Sequence, residues 1–237
     1  MNLLTSRSQS LEGPSLQYGY SGSISQFPTF TKLMAVLILA YSLMVPAGGP
    51  KAAGSIQMVV LGDSLSAGYL LPQEAAFPVV LEKALRAEGL QVEVANAGVS
   101  GDTSRGGLER LDWAIPEGTQ AVLVELGAND MLRGIDPSRT QEALDTIIAR
   151  LKGRGIRVML AGMLASPSLG KDYGDRFNAI YPTLAKKYDV PLYPFFLNGV
   201  AGERSLNLDD GMHPNRRGVE TIVASILPAV KYFLSGL

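Results

Sequence analysis

The sequence contains no cysteine and only one histidine, His213. Without cysteine there is no disulfide framework, no thiolate zinc site and no cysteine nucleophile. A single imidazole rules out metal sites built on several histidines, so no metal is expected, and any histidine-based proton transfer has to use His213. Charge of one sign is lacking as well: 21 basic and 22 acidic residues give a formal net charge of −1. A nucleic-acid-binding domain would carry a basic footprint, and none is present. Tryptophan occurs once, beside nine Tyr and seven Phe, and the sequence places no aromatic platform for sugars among them. What the chain does have is 237 residues, 46% of them hydrophobic, enough for the core of one ordinary or large domain.

Residues 1–54 read as lying outside that domain. Met1–Thr31 is polar, carries seven Ser and shows no sustained periodicity, so it buries too little apolar surface to offset the cost of ordering it. Lys32 precedes the thirteen-residue apolar run Leu33–Val45, which ends at Pro46 and gives way to small residues from Ala47 to Gly54. A basic flank, a short apolar core and a small-residue exit make up a secretory signal. Thirteen residues fall short of the roughly 20 needed to span hydrocarbon. The expectation is a cleaved leader, a periplasmic or secreted mature chain and no stable membrane span in it. Taking Arg7, Lys32, Lys51 and Glu12 away leaves 18 basic and 21 acidic residues, a net of −3.

From Ser55 the sequence alternates strands and helices. The apolar run Ile56–Leu61 stops at Gly62, and Ser64 follows two residues later. This is the pattern of a buried strand ending in a tight, exposed turn that holds a hydroxyl out at the sheet's edge. Apolar periodicity predicts a helix over Phe77–Glu88, a strand over Gln91–Ala95 and a helix over Thr103–Trp113. The strongest strand is Ala121–Leu126, ending in the turn Gly127-Ala128-Asn129-Asp130. Pro137–Gly153 reads as a helix, Arg157–Ala161 as a strand and Gly162–Lys171 as a loop. Asp175–Tyr188 follows as a helix that Pro182 kinks or breaks. A short strand Pro191–Tyr193 and a loop to Pro214 lead to a last helix, about Arg216–Phe233, which Pro228 bends. Alternation of this kind gives a parallel sheet covered on both faces, and the uninterrupted apolar strands agree with that burial. One three-layer α/β/α domain with about five strands, over residues 55–237, is expected.

The polar turns fall at the carboxyl ends of successive strands, which a parallel sheet gathers on one side. Ser64 is the candidate nucleophile. Gly-Asp-Ser alone is weak, because any strand-to-loop turn uses those residue types. It is also not the nucleophile elbow of the α/β-hydrolases, which needs Gly where Ser66 stands. In Asp210-Gly211-Met212-His213, a three-residue separation puts both side chains on one side of a turn. The carboxylate can accept from one imidazole nitrogen and leave the other to take the Ser64 proton. The same residues also suit a simple helix-start cap. Ser64 N–H, the N–H of Gly101 and the Asn129 side-chain amide are the available donors for an oxyanion. Gly101 and Asn129 read equally as ordinary turn residues. Leu65, Met131, Leu164 and Met212 lie beside these turns and are candidates to line an acyl pocket.

Gly62-Asp63-Ser64-Leu65-Ser66, Ser100-Gly101-Asp102-Thr103, Gly127-Ala128-Asn129-Asp130 and Asp210-Gly211-Met212-His213-Pro214-Asn215 occur in that order. Together they resemble the four sequence blocks of the SGNH (GDSL) hydrolase superfamily. More narrowly, Ser55–Leu237 is similar to its exported bacterial acyl-CoA thioesterase, arylesterase and lysophospholipase branch. The resemblance implies a flavodoxin-like sheet and no cofactor. It makes Ser64 the nucleophile, His213 the general base and acid, and Asp210 the residue orienting it. Gly101 and Asn129 join the Ser64 N–H as the oxyanion hole. The partner implied is a small-molecule acyl ester or thioester. Separately, a monomer or small homo-oligomer is expected. Met163–Gly170 looks more like the arylesterase-type members. A carbohydrate O-acetylesterase could use the same residues, and a non-catalytic periplasmic binding protein could use the same sheet.

Overall fold

A computed structural model describes Gly19 and residues 54–237; the leader segment expected at residues 1–54 lies outside the described residues apart from Gly19 and Gly54. Five strands form one parallel sheet: β1 (Ile56–Gly62), β2 (Val92–Gly98), β3 (Ala121–Glu125), β4 (Arg157–Ala161) and β5 (Leu192–Tyr193), in spatial order β2-β1-β3-β4-β5. β1 and β3 are central and apolar, so they are buried on both faces. At the edge, β2 alternates, with Val92 and Val94 buried and Glu93 and Ala95 exposed, because one of its faces meets solvent.

Nine helices are described around the sheet: α1 (Ser64–Ala67), α2 (Phe77–Ala87), α3 (Ser104–Glu109), α4 (Leu111–Ala114), α5 (Ala128–Leu132), α6 (Pro137–Gly153), α7 (Lys171–Asn178), α8 (Ile180–Tyr188) and α9 (Arg216–Leu234). α2 packs on β2 and α9, while α3, α6 and α8 pack together, with α6 and α8 on β4. α2 shows why these segments are helical and where they face. Phe77, Leu81 and Leu85 recur at four-residue spacing and are fully buried, each burial contributing roughly 1.5–3 kcal/mol. Pro78 sits in its first turn, where no N–H is needed.

Several expected elements differ in detail. The helix expected over Thr103–Trp113 is two, because Thr103 is the cap of α3 and Arg110 interrupts the run. Arg110 is drawn inward: its Nε pairs with Asp102 at 2.5 Å and its Nη2 donates to the Gly62 carbonyl at 2.9 Å. The helix expected over Asp175–Tyr188 starts earlier, at Lys171, and breaks at Ala179. Pro182 is the third residue of α8, where its missing N–H has no partner to lose. The loop after β4 holds a short 3₁₀ turn at Pro167–Leu169, and α9 continues through Pro228 to Leu234. Among the described residues no helix is long and apolar enough to cross a membrane.

Candidate active site

The order β2-β1-β3 places the topological switch point between β1 and β3, where the chain leaves the sheet in opposite directions and a crevice opens at the carboxyl ends. Ser64 follows β1 and Asn129 follows β3, so they flank that crevice. Ser64 is not the exposed turn residue expected from the sequence. It is the first residue of α1 and is only 9% exposed. The cause is local: the Asp63 carboxylate accepts the Leu65 N–H at 3.0 Å and caps a one-turn helix, and Gly68, at φ +81°, ends it. Asn129 likewise lies in α5 rather than in an open turn.

His213 reaches Ser64 from the loop before α9. Its Nε2 lies 2.9 Å from Ser64 Oγ, and its Nδ1 lies 2.6 Å from Asp210 Oδ2. The other oxygen of Asp210 accepts the backbone N–H groups of Met212 at 2.9 Å and His213 at 3.0 Å. These bonds, first from the His213 backbone, then from Met212, then from the imidazole, hold the Asp210 carboxyl down at about 2. The neighbouring Asp209 makes no side-chain hydrogen bond among the described residues. Tyr69 covers one face of the imidazole, with ring centroids 4.4 Å apart at a 36° tilt.

A cavity of about 390 Å³ opens at this point. Ser64, Asn129 and His213 line it, and so do all four apolar candidates, Leu65, Met131, Leu164 and Met212. Gly101 is placed on the turn after β2, outside the cavity lining. Its φ of +86° is open to glycine and strained for other residues, and its carbonyl accepts Arg133 Nη2 at 2.7 Å. Ser64 N–H stands at the first helical position, where a helix offers no internal acceptor. Among the described residues no cluster of three or more His, Asp or Glu is placed to hold a metal ion.

The sequence reading missed the polar groups underneath. Glu125 and Asp63 are fully buried. β1 and β3 pair in register with Gly62 beside Glu125. Glu125 Oε2 accepts from Ser66 Oγ at 2.7 Å and from Asp63 N–H at 3.4 Å, while Asp63 Oδ2 accepts from Asn129 Nδ2 at 3.1 Å. Burial first, then the negative charge of Asp63, pushes the Glu125 carboxyl well above the usual range. Asp63 is raised to about 6, chiefly by burial. Gly62 is glycine for a steric reason, since a Cβ there would collide with Ser66 and Glu125. The one available signal was an acidic residue closing the otherwise apolar strand Ala121–Glu125. A third buried acid, Asp130, accepts from Ser104 N–H at 2.7 Å, Ser104 Oγ at 2.5 Å and Thr140 Oγ1 at 3.0 Å, tying α5 to α3 and α6.

The chain matches the GDSL-like lipase/acylhydrolase family over residues 60–220. It is 44% identical to a Vibrio mimicus arylesterase over 161 residues, 68% of this chain and 80% of that one. It is 41% identical over 167 residues to the thioesterase 1/protease 1/lysophospholipase L1 of Escherichia coli (strain K12), covering 70% and 79% respectively. A crystal structure of TesA superposes with a TM-score of 0.72 at 35% identity, covering 75% of this chain and 99% of that one. Family match, relatives and fold agree: the chain belongs to the GDSL-like lipase/acylhydrolase family and is an ester-hydrolysing enzyme.

Proposed function

We propose that the protein is an exported serine esterase that cleaves carboxylic esters or thioesters through an acyl-enzyme on Ser64. The observation that carries this reading is the hydrogen-bonded chain from Ser64 Oγ to His213 Nε2 (2.9 Å) and from His213 Nδ1 to Asp210 Oδ2 (2.6 Å). A serine hydroxyl is a weak nucleophile unless an adjacent base takes its proton. In the proposed cycle Nε2 takes the Oγ proton as Oγ attacks the acyl carbon, and then gives it to the departing alkoxide or thiolate. Water repeats the sequence on the acyl-enzyme, releasing the acid and restoring Ser64. Asp210 keeps the imidazole in the tautomer that leaves Nε2 free to accept. The Ser64 and Gly101 N–H groups and the Asn129 amide serve the negative oxygen of the tetrahedral intermediate.

The substrate side is proposed on the cavity. Its lining is mainly aliphatic and Met side chains, and Phe195 is the one Phe, Tyr or Trp among them. That suits an acyl chain better than a sugar ring. Residues 1–54 are proposed as extension plus signal peptide, with 55–237 as the single catalytic domain and the mature enzyme periplasmic or secreted.

The test is labelling with a fluorophosphonate probe alongside hydrolysis of aryl esters, acyl-CoAs and lysophospholipids. Wild-type protein should label and turn over, and Ser64→Ala should do neither while melting at the wild-type temperature. A Ser64→Ala protein that still hydrolyses ester would refute the mechanism.

A further inference from the structure

Asp63 and Glu125 stand outside the chain that runs from Ser64 through His213 to Asp210, yet they lie directly under the nucleophile. A primary amide has two ends of similar shape and opposite polarity. Only the N–H end can serve an oxyanion, and the oxygen end would repel it. Asn129 therefore needs something to fix which end faces the cavity. An ionised carboxylate can only accept hydrogen bonds. Asp63 Oδ2 accepts from Asn129 Nδ2 at 3.1 Å, and this commits the nitrogen to that side. One Nδ2 hydrogen is used by Asp63, and the second remains for the cavity that Asn129 and Ser64 share.

We propose that Asp63 is a positioning residue for ester hydrolysis: its buried carboxylate holds the Asn129 amide with an N–H toward the reacting carbonyl, while Glu125 holds Asp63 and Ser66 from below. The proposal rests on the reading of Asn129 as an oxyanion donor. Glu125 is fitted to its part because its Oε2 bonds both Ser66 Oγ and the Asp63 backbone. Its Oε1 is buried with no hydrogen-bond partner among the described residues, which a neutral acid tolerates far better than an anion.

The charge on Asp63 follows from the groups around it. Burial raises it to about 6; the Leu65 N–H, the Asn129 amide and the positive form of His213 oppose this, and Asp102 adds to it. Asp102 is itself paired with Arg110, whose guanidinium also bonds the Gly62 carbonyl. Glu125 contacts Asp63 from β3. Above about 6 Asp63 is an anion and only accepts. As pH falls through that value it gains a proton that it can donate, and the amide is free to invert. The acid limb of kcat should then contain an ionisation that belongs to Asp63.

The experiment is a double-mutant cycle on a p-nitrophenyl ester with Asp63→Asn and Asn129→Ala. Asp63→Asn keeps the shape of the side chain. Its oxygen has to cap the Leu65 N–H, so its NH₂ meets the Asn129 NH₂, and Asn129 inverts to put its oxygen in place of the donor. We expect kcat to fall roughly 10²-fold, as for loss of one oxyanion donor, with KM changed much less. The double mutant should be no slower than Asn129→Ala alone, since Asp63 acts through that residue. The wild-type acid limb should need one ionisation more than that of Asn129→Ala, a readout that does not depend on Asp63→Asn folding. Asp63→Asn with wild-type kcat, an additive double mutant, or the same number of ionisations in both profiles would overturn the positioning role. An Asn129→Ala enzyme with full kcat would instead overturn the oxyanion reading, and the positioning role with it.

Discussion

Asp210→Asn is the substitution that most directly probes the proposed proton relay. The change is isosteric, and the amide oxygen can still accept the Met212 and His213 backbone N–H groups that Asp210 Oδ1 accepts at 2.9 and 3.0 Å. The loop should therefore keep its shape. What changes is the 2.6 Å contact to His213 Nδ1, where an acceptor is replaced by an NH₂ donor. Nδ1 must then be the unprotonated nitrogen, and Nε2 carries the hydrogen toward Ser64 Oγ. A base in that tautomer cannot take the serine proton. The expected loss is about 10⁴-fold in kcat, or about 5 kcal/mol of barrier, with KM little changed. The assay is steady-state hydrolysis of an aryl ester across pH. In the wild type the Asp210 carboxyl is depressed to about 2. A depressed carboxyl is ionised above that value and loses its contribution only as pH falls through it, so Asp210 adds no step to an acid limb measured above pH 4. Asp209→Asn is the control, one residue away and without a side-chain hydrogen bond among the described residues, and it should stay within about twofold of wild type. An Asp210→Asn enzyme retaining a tenth of wild-type kcat, or an Asp209→Asn enzyme that is the more damaged, would refute the reasoning.

Asn129→Ala should lower kcat by roughly 10²–10³-fold with a small change in KM, read from the same steady-state assay; a defect confined to KM would make Asn129 a substrate-binding residue instead. A chain beginning at Ser55 should fold and retain full kcat, because every strand among the described residues and every proposed catalytic group lies beyond Gly54; an insoluble or inactive product, with the full chain active, would give the leader a structural role. Leu81→Ala, at a fully buried position on α2, should cost about 2–5 kcal/mol in urea unfolding while leaving kcat of the folded fraction unchanged.

The sequence by itself determined the order and type of the elements. Continuous apolar runs such as Ile56–Leu61 and Ala121–Leu126, punctuated by glycine, carry that information locally, as does the spacing of buried residues along α2. It also singled out Ser64 and the Asp210–His213 pair, because a chain with one histidine leaves few ways to move a serine proton. Helix ends were less legible. The break at Arg110 depends on an ion pair with Asp102 and a bond to Gly62, and no local propensity encodes partners 8 and 48 residues away.

The floor of the site was decided by tertiary structure alone. Asp63 meets Asn129, and Ser66 meets Glu125, across 66 and 59 residues. Only the parallel register that sets Gly62 beside Glu125 brings them together. In the sequence Asp63 and Ser66 read as ordinary turn residues and Glu125 as an anomaly at the end of a strand. Burial changes their chemistry. Removed from water, a carboxyl either loses its charge or finds donors to hold it, so the Glu125 carboxyl is pushed well above its usual range and Asp63 takes the Leu65 and Asn129 hydrogens. Local pattern fixes which residues can reach the edge of the sheet; which of them share a proton, a donor or a charge depends on distances that exist only after the strands pair.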